Sequence, residues 1–207
     1  MDTYHTLLAS TEAQFTEKRS RFLAFAFPVA NEDEAKQQVA VLKRTYYDAR
    51  HVCFAYVLGP QSDITRQNDD GEPSGTAGRP ILNQILGHGL TQVLVVVVRY
   101  FGGVKLGTGP LGVAYRTAAA MALDEGTVKE CIVKSEFGVD VPYTEADVAM
   151  RFIRDGGGEI TARDYSATGQ LLKVAIRADN AEALRDRLAR IHTLRIIDEE
   201  PDRKSVV

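Results

Sequence analysis

The chain has 207 residues, 44% apolar and 26% charged, which is the composition of an ordinary globular protein long enough for one large domain or two small ones. Its net charge of −3 is spread evenly along the chain and excludes the basic footprint of a strong nonspecific nucleic-acid binder. The N-terminus lacks a signal-peptide pattern, and the longest apolar run, Val93 to Val98, is far short of the roughly 20 residues that span a bilayer.

In chain order, Arg21 to Val29 is aromatic and apolar and predicts a strand. Asn31 followed by acidic Glu34 is a helix-start signal, and Ala35, Val39, Leu42 and Tyr46 form the apolar stripe behind it. His51 to Leu58 reads as a strand. Residues 59–76 lack periodicity and predict a long loop, of a length often tied to function. Pro80 suits the first turn of a short helix holding Ile81, Ile85 and Leu86, ended by Gly87 or Gly89. Val93 to Val98 predicts a strand buried on both faces. Pro110 begins a helix with Leu111, Ala114, Ala118 and Ala122 on one side and Gly126 as its cap.

Beyond residue 128 the rhythm changes. Val133, Phe137, Val139 and Val141 alternate along a strand. A helix opened by Thr144 and Asp147 follows, carries Val148, Phe152 and Ile153, and ends at Gly156-Gly157-Gly158. Strands are predicted at 159–166 and 170–177, a helix capped by Asp179 or Asn180 with Ala181, Leu184, Leu188 and Ile191, and a strand from Leu194 to Ile197. The order β-α-β-β-α-β is the ferredoxin-like pattern. Two domains are expected, 1–128 and 129–207, ending in a charged tail from Glu199.

Chemistry concentrates between residues 69 and 116. Ten of the 17 glycines lie from Gly71 to Gly112, eight of them inside DDGEPSGTAGRPIL (69–82) and RYFGGVKLGTGPLGVAY (99–115). Asp69, Asp70 and Glu72 stand at the entrance, and no acidic residue follows until Asp124. Arg79, Arg99, Lys105 and Arg116 fall in that acid-free stretch. A strand opening into a glycine-rich loop and a helix can hold anions on backbone N–H groups. That gives Arg79, Arg99, Gly102, Gly103, Lys105, Gly107, Thr108, Gly109 and Arg116 as candidate phosphate contacts, set against a purely structural turn. The spacing matches neither GxxxxGK[ST] nor GxGxxG, and no cofactor is expected. Pro110 lacks an N–H, so a cradle here has Leu111 and Gly112 as remaining donors.

The acidic triplet admits a divalent metal, but capping a helix or pairing with Arg79 or Arg99 is the simpler reading. His51 and Cys53 are two apart on a strand and share a side, which fits either a nucleophile pair or a buried thiol beside a bonded imidazole. Cys53 and Cys131 form no CxxC, and free thiols in the cytoplasm are expected.

The two glycine motifs, together with the His51-x-Cys53 pair, resemble those of the IMPACT family, in its bacterial, YigZ-like branch. The chain departs from the family at Pro110, where a glycine is usual. The resemblance implies an α+β protein. Its N-terminal half would be an α/β sandwich like the second domain of ribosomal protein S5, and its C-terminal half a ferredoxin-like domain like the last domain of elongation factor G. Eukaryotic members regulate translation initiation. The leading expectation is therefore a non-catalytic protein that binds RNA or the ribosome, with a partner in the translation machinery, no membrane and no DNA specificity. The alternatives are a small metal-dependent enzyme acting on a phosphorylated or nucleotide substrate, with Asp69, Asp70 and Glu72 at its centre, and a protein-interaction module.

Overall fold

The computed structural model describes residues 2–198, and the charged tail predicted from Glu199 lies outside them. The chain forms two compact units, one from Tyr4 to Cys131 and one from Ile132 onward together with Asp2 and Thr3.

In the first unit a five-stranded sheet runs in the order β2 (Thr11–Glu17), β3 (Ser20–Pro28), β6 (Val93–Tyr100), β4 (His51–Leu58), β5 (Ile64–Asn68). Every neighbouring pair is antiparallel. The sheet is nevertheless buried on both faces, because helices cover both. On one side α2 (Gly78–Gly87) and α3 (Thr108–Asp124) pack on Phe22, Ala24, Cys53, Ala55, Val95 and Val97. On the other, α1 (Glu32–Thr45) sets Ala35, Val39 and Leu42 against Val52, Tyr56, Leu94, Val96 and Val98. The period of two along Val93–Val98 thus supplies apolar side chains to two cores at once. This is the α/β sandwich that the family resemblance implies.

Asn31 caps α1 as expected. Its Oδ1 accepts from Glu34 N at 2.9 Å, and the Glu34 carboxylate accepts from Ala30 N at 2.8 Å, a capping box displaced by one residue. Four expectations need correction. The 59–76 loop contains β5, an edge strand whose five exposed residues carry no apolar alternation to read. Leu86 is 45% exposed, while Ile81 and Ile85 carry the buried side of α2. The third helix starts at Thr108, two residues before Pro110, with Gly107 as its N-cap. The N-terminal segment, without a predicted element, forms β1 (Thr3–Leu7), which pairs with β7 (Val128–Ile132), and β2. A two-residue turn joins β2 to β3 with Lys18 and Arg19 both at positive φ, which no glycine announces.

The second unit has the predicted βαββαβ order: β8 (Lys134–Pro142), α4 (Ala146–Asp155), β9 (Glu159–Tyr165), β10 (Gly169–Arg177), α5 (Ala178–Leu188) and β11 (Arg195–Ile197). The sheet order is β11-β8-β10-β9, the ferredoxin-like arrangement. Phe137, Val139, Val141, Leu172, Val174 and Ile176 meet Ala149, Ile153, Leu184 and Leu188 in one core. Val133 falls in the break between β7 and β8 rather than on the strand. The helix α4 ends at Gly156, and Gly158 N returns to Ile153 O at 2.8 Å across Gly157 at φ 81°, a Schellman closure. Neither Asp179 nor Asn180 caps α5. The helix begins at Ala178, which puts Asp179 in its first turn, where its charge favours the helix dipole. Among the described residues no helix is long and apolar enough to cross a membrane.

Candidate functional site

A cleft of about 440 Å³ opens in the first unit where the 69–76 loop, the end of β6 and the start of α3 meet. Arg50, His51, Glu72, Arg99, Phe101, Lys105, Gly107 and Thr108 line it, with Pro73, Leu106 and Leu111. Antiparallel pairing places His51 directly opposite Arg99 on β4 and β6, so both reach the same end of the sheet.

The three carboxylates of the acidic triplet go to three different places. Asp69 accepts N–H bonds from Gly75, Gly78 and Ala77 at 2.8, 2.8 and 3.0 Å. It caps α2, whose own N-cap residue, Ala77, has no side-chain acceptor. Burial works against its charged form, but the three backbone donors outweigh it and hold the Asp69 pKa below the ordinary value. Asp70 accepts from Val52 N at 2.7 Å and from Lys43 Nζ at 2.6 Å. Glu72 turns inward. Its Oε1 accepts from Arg99 at 2.6 Å and from the Tyr115 hydroxyl at 2.8 Å, and its Oε2 lies 3.7 Å from His51 Nε2. Among the described residues no group of three His, Cys, Asp or Glu side chains could hold a metal ion. The pairing with Arg99, not with Arg79, is the one realised.

Arg99 is 6% exposed and lies over the rings of Phe22 and Phe101 at 5.5 and 5.7 Å. Its charge is matched by Glu72, so it holds the floor of the cleft together and is not free to neutralise a phosphate. His51 Nδ1 lies 2.8 Å from the Asp70 carbonyl oxygen. A carbonyl only accepts, so Nδ1 carries the proton and Nε2 faces Glu72. Cys53 shares the side of His51 but sits behind the cleft, donating to the Asp69 carbonyl at 3.1 Å and lying 3.3 Å from the Tyr115 oxygen. Burial pushes its thiol pKa well up, the opposite of an activated nucleophile. Burial likewise raises Tyr115 far above the ordinary phenol value, so its hydroxyl stays a donor to Glu72.

The glycines divide by role. A Cβ at Gly102 would fall 2.1 Å from the Arg19 carbonyl carbon, so this glycine permits the loop to touch the β2–β3 turn, where Gly102 N donates to Ser20 Oγ at 3.2 Å. Gly103 and Gly107 have φ of 86° and 83°. Gly109 has open space around its missing side chain and no unusual φ. At the head of α3 the first intrahelical bond runs from Leu111 N to Gly107 O at 3.0 Å. Leu111 is therefore not a free donor, and the amides without an intrahelical acceptor are those of Thr108 and Gly109. No acidic residue occupies this first turn.

The cleft thus collects His51, Glu72, Arg99, Lys105, Gly107 and Thr108 from the predicted set. Arg79 and Arg116 are exposed elsewhere on α2 and α3. Sequence reasoning misses Arg50, Phe101 and the buried Tyr115. Arg50 and Phe101 flank His51 and Tyr100 at paired strand ends, a signal visible only once β4 and β6 are known to be neighbours.

The sequence model of the Impact N-terminal domain matches residues 18–123, just over half of the chain and all of the cleft. The chain belongs to the IMPACT family. The IMPACT family member YigZ of Escherichia coli (strain K12) is 35% identical over 174 residues, covering 83% of this chain and 85% of that one. Protein IMPACT of Rattus norvegicus is 33% identical over 100 residues, 46% of this chain and 31% of that one. A crystal structure of a hypothetical protein superposes with a TM-score of 0.75 at 32% identity over 98% of this chain and 100% of that one. In this IMPACT protein both long motifs are used chiefly to build the cleft floor. The Asp69–Gly78 segment caps α2 and delivers Glu72, and the Arg99–Tyr115 segment supplies the two groups that bind Glu72.

Proposed function

We propose that the cleft binds single-stranded RNA and that the protein is a non-catalytic, RNA- or ribosome-binding factor in translation control. The observation that carries this reading is the pairing of free cations with an exposed aromatic. Arg50 and Lys105 are exposed at the rim and have no ion pair among the described residues. Phe101, 47% exposed, lines the cleft with them and with the amide end of α3. Glu72, the one carboxylate lining the cleft, is already bonded by Arg99 and Tyr115. Cations for phosphates beside an aromatic face for a base is the general form of single-strand recognition. The link to translation comes from the family, whose eukaryotic members regulate initiation.

The test is filter binding of the full chain to a single-stranded oligoribonucleotide across a salt series. Affinity falls steeply with salt, and Arg50→Ala with Lys105→Ala lowers the salt slope by about 0.7 for each phosphate no longer neutralised. Phe101→Ala costs about 1–3 kcal/mol of binding with the slope unchanged. Absence of binding at low salt overturns the reading.

A further inference from the structure

The second unit holds a groove that RNA binding by the first unit does not use. It lies between α4 and the edge strand β9 and encloses about 670 Å³. Met150, Ile153 and Ile160 give it an apolar floor, and Arg151, Arg154 and Arg163 line it against one carboxylate, Asp147. All three arginines are exposed, and none of their side chains has a hydrogen-bond or ion-pair partner among the described residues. Two arginines of α5 are engaged: Arg187 pairs with Asp155 and covers Phe152, and Arg185 pairs with Asp198 and covers Phe137. Nearby acids that could have served the groove are also taken, Asp155 by Arg187 and Glu159 by Lys134.

The strand irregularity aims Arg163. Residues 160 and 163 are three apart, so in a regular strand they would face opposite sides. The β9–β10 register shifts at Lys173/Val174: Arg163 pairs with Leu172 and Ile160 with Val174, and both of those partners are buried on the helix-covered face. The bulge therefore brings Arg163 and Ile160 to the same side, beneath α4. Bulges commonly re-aim a side chain in this way at the cost of local pairing. Arg151 and Arg154, one helical turn apart, meet Arg163 from above. The tight Gly156–Gly158 closure brings the end of α4 directly into β9, and a Cβ at Gly158 would come within 2.9 Å of Ile153.

Three guanidinium groups facing one carboxylate repel one another, and a single carboxylate ligand cannot balance them. We propose that this groove is a phosphate-binding site that takes a ligand bearing more than one phosphate, held by bidentate contacts from Arg151, Arg154 and Arg163. Planar guanidinium forks match phosphate oxygens in this mode.

The experiment titrates the full chain with inorganic triphosphate and, in a separate arm, with oligouridylate, at low salt. Arginine modification by phenylglyoxal, mapped by mass spectrometry, reads the site. Protection of Arg151, Arg154 and Arg163 by triphosphate alone identifies a small phosphorylated ligand, and protection by both probes identifies an RNA backbone. Protection by neither overturns the proposal. Arg154→Ala with Arg163→Ala should weaken triphosphate binding about tenfold or more, whereas Arg50→Ala with Lys105→Ala leaves protection of the groove intact. An equal loss in both pairs overturns the assignment. The footprint is read on the wild-type chain, so it decides the matter even where a variant fails to fold, and it stands or falls separately from RNA binding in the first cleft.

Discussion

Glu72→Ala is the sharpest probe of the cleft floor. The Glu72 side chain is 4% exposed and that of Arg99 7%, so the variant leaves a guanidinium in the interior without its counter-charge. Breaking a buried pair from one side costs about 3–5 kcal/mol. Arg99 Nε has no hydrogen-bond partner, so little remains to solvate the stranded cation. Tyr115 also loses its acceptor, worth about 1–3 kcal/mol for a buried hydroxyl alone, but the two losses share one network and do not add. The expected total is about 3–5 kcal/mol, a shift of about 1–5 M in the urea midpoint for slopes of about 1–3 kcal/mol/M. Hydrogen exchange on peptides covering Val93–Tyr100, followed through a urea series, reports on the sheet that carries Arg99 without reading the second unit. Glu72→Gln, which retains an acceptor oxygen and the side-chain shape, should cost clearly less. Glu72→Leu combined with Arg99→Met removes both charges and should recover much of the loss. If the double variant is as unstable as the sum of its parts, or if Glu72→Ala costs under about 1 kcal/mol, the pair does not hold the cleft floor together.

Three further outcomes follow from single interactions. Asp69 has a folded pKa below its ordinary value of 3.8, so its stabilising contribution is present above that value and is lost as pH falls through the lower folded pKa; Asp69→Asn should therefore show a flatter stability profile below about pH 4 than wild type, measured by acid titration of the circular dichroism signal. The Cys53 thiol, raised by burial, should resist iodoacetamide at about pH 8 in the native state and become labelled only in step with unfolding, as mapped by peptide mass spectrometry. Gly102→Ala drives a methyl into the Arg19 backbone and should cost about 1–3 kcal/mol, while Gly87→Ala meets open space in the last turn of α2 and should stabilise by up to about 1 kcal/mol; thermal melts of the two variants should move in opposite directions.

Elements with a one-sided or two-sided apolar pattern are legible in the sequence. The β4 span, the Val93 strand and the order of the second half follow from periodicity, because burial there is what the pattern encodes. The β5 strand escapes for the converse reason, and β2 because its half-buried side carries only two apolar residues, Ala13 and Phe15. Ile64–Asn68 is exposed at every position, so its strand conformation is imposed by pairing with β4 and leaves no apolar trace. The Lys18-Arg19 turn takes positive φ at two residues that seldom adopt it, so the hairpin lacks the glycine or asparagine that would mark it. Sequence misplaces the start of α3 because Pro110 is compatible with the first helical positions generally, and only Gly107 at φ 83° fixes the cap.

For the site, sequence locates the segment but not the division of labour within it. Charge segregation groups Arg79, Arg99, Lys105 and Arg116 as equivalents, yet a side chain's availability depends on what faces it across the sheet. Arg99 is spent because Tyr115 and Glu72 arrive from α3 and the 69–76 loop, two elements that chain order does not reveal as neighbours. Arg50 is free because it sits one residue outside β4, where the ladder ends and its side chain meets solvent. The same reasoning explains the second groove. Arg151, Arg154 and Arg163 are unremarkable in a balanced sequence, and a one-residue bulge in β9 is what turns three scattered cations into a convergent set. Deleting Thr161 should remove the bulge yet leave Ile160 and Arg163 two positions apart, still opposite Val174 and Leu172 on the helix-covered face, so triphosphate protection of Arg163 should persist. If the deletion variant folds and protection of Arg163 is lost, pairing opposite Leu172 and Val174 is not what places Arg163 in the groove.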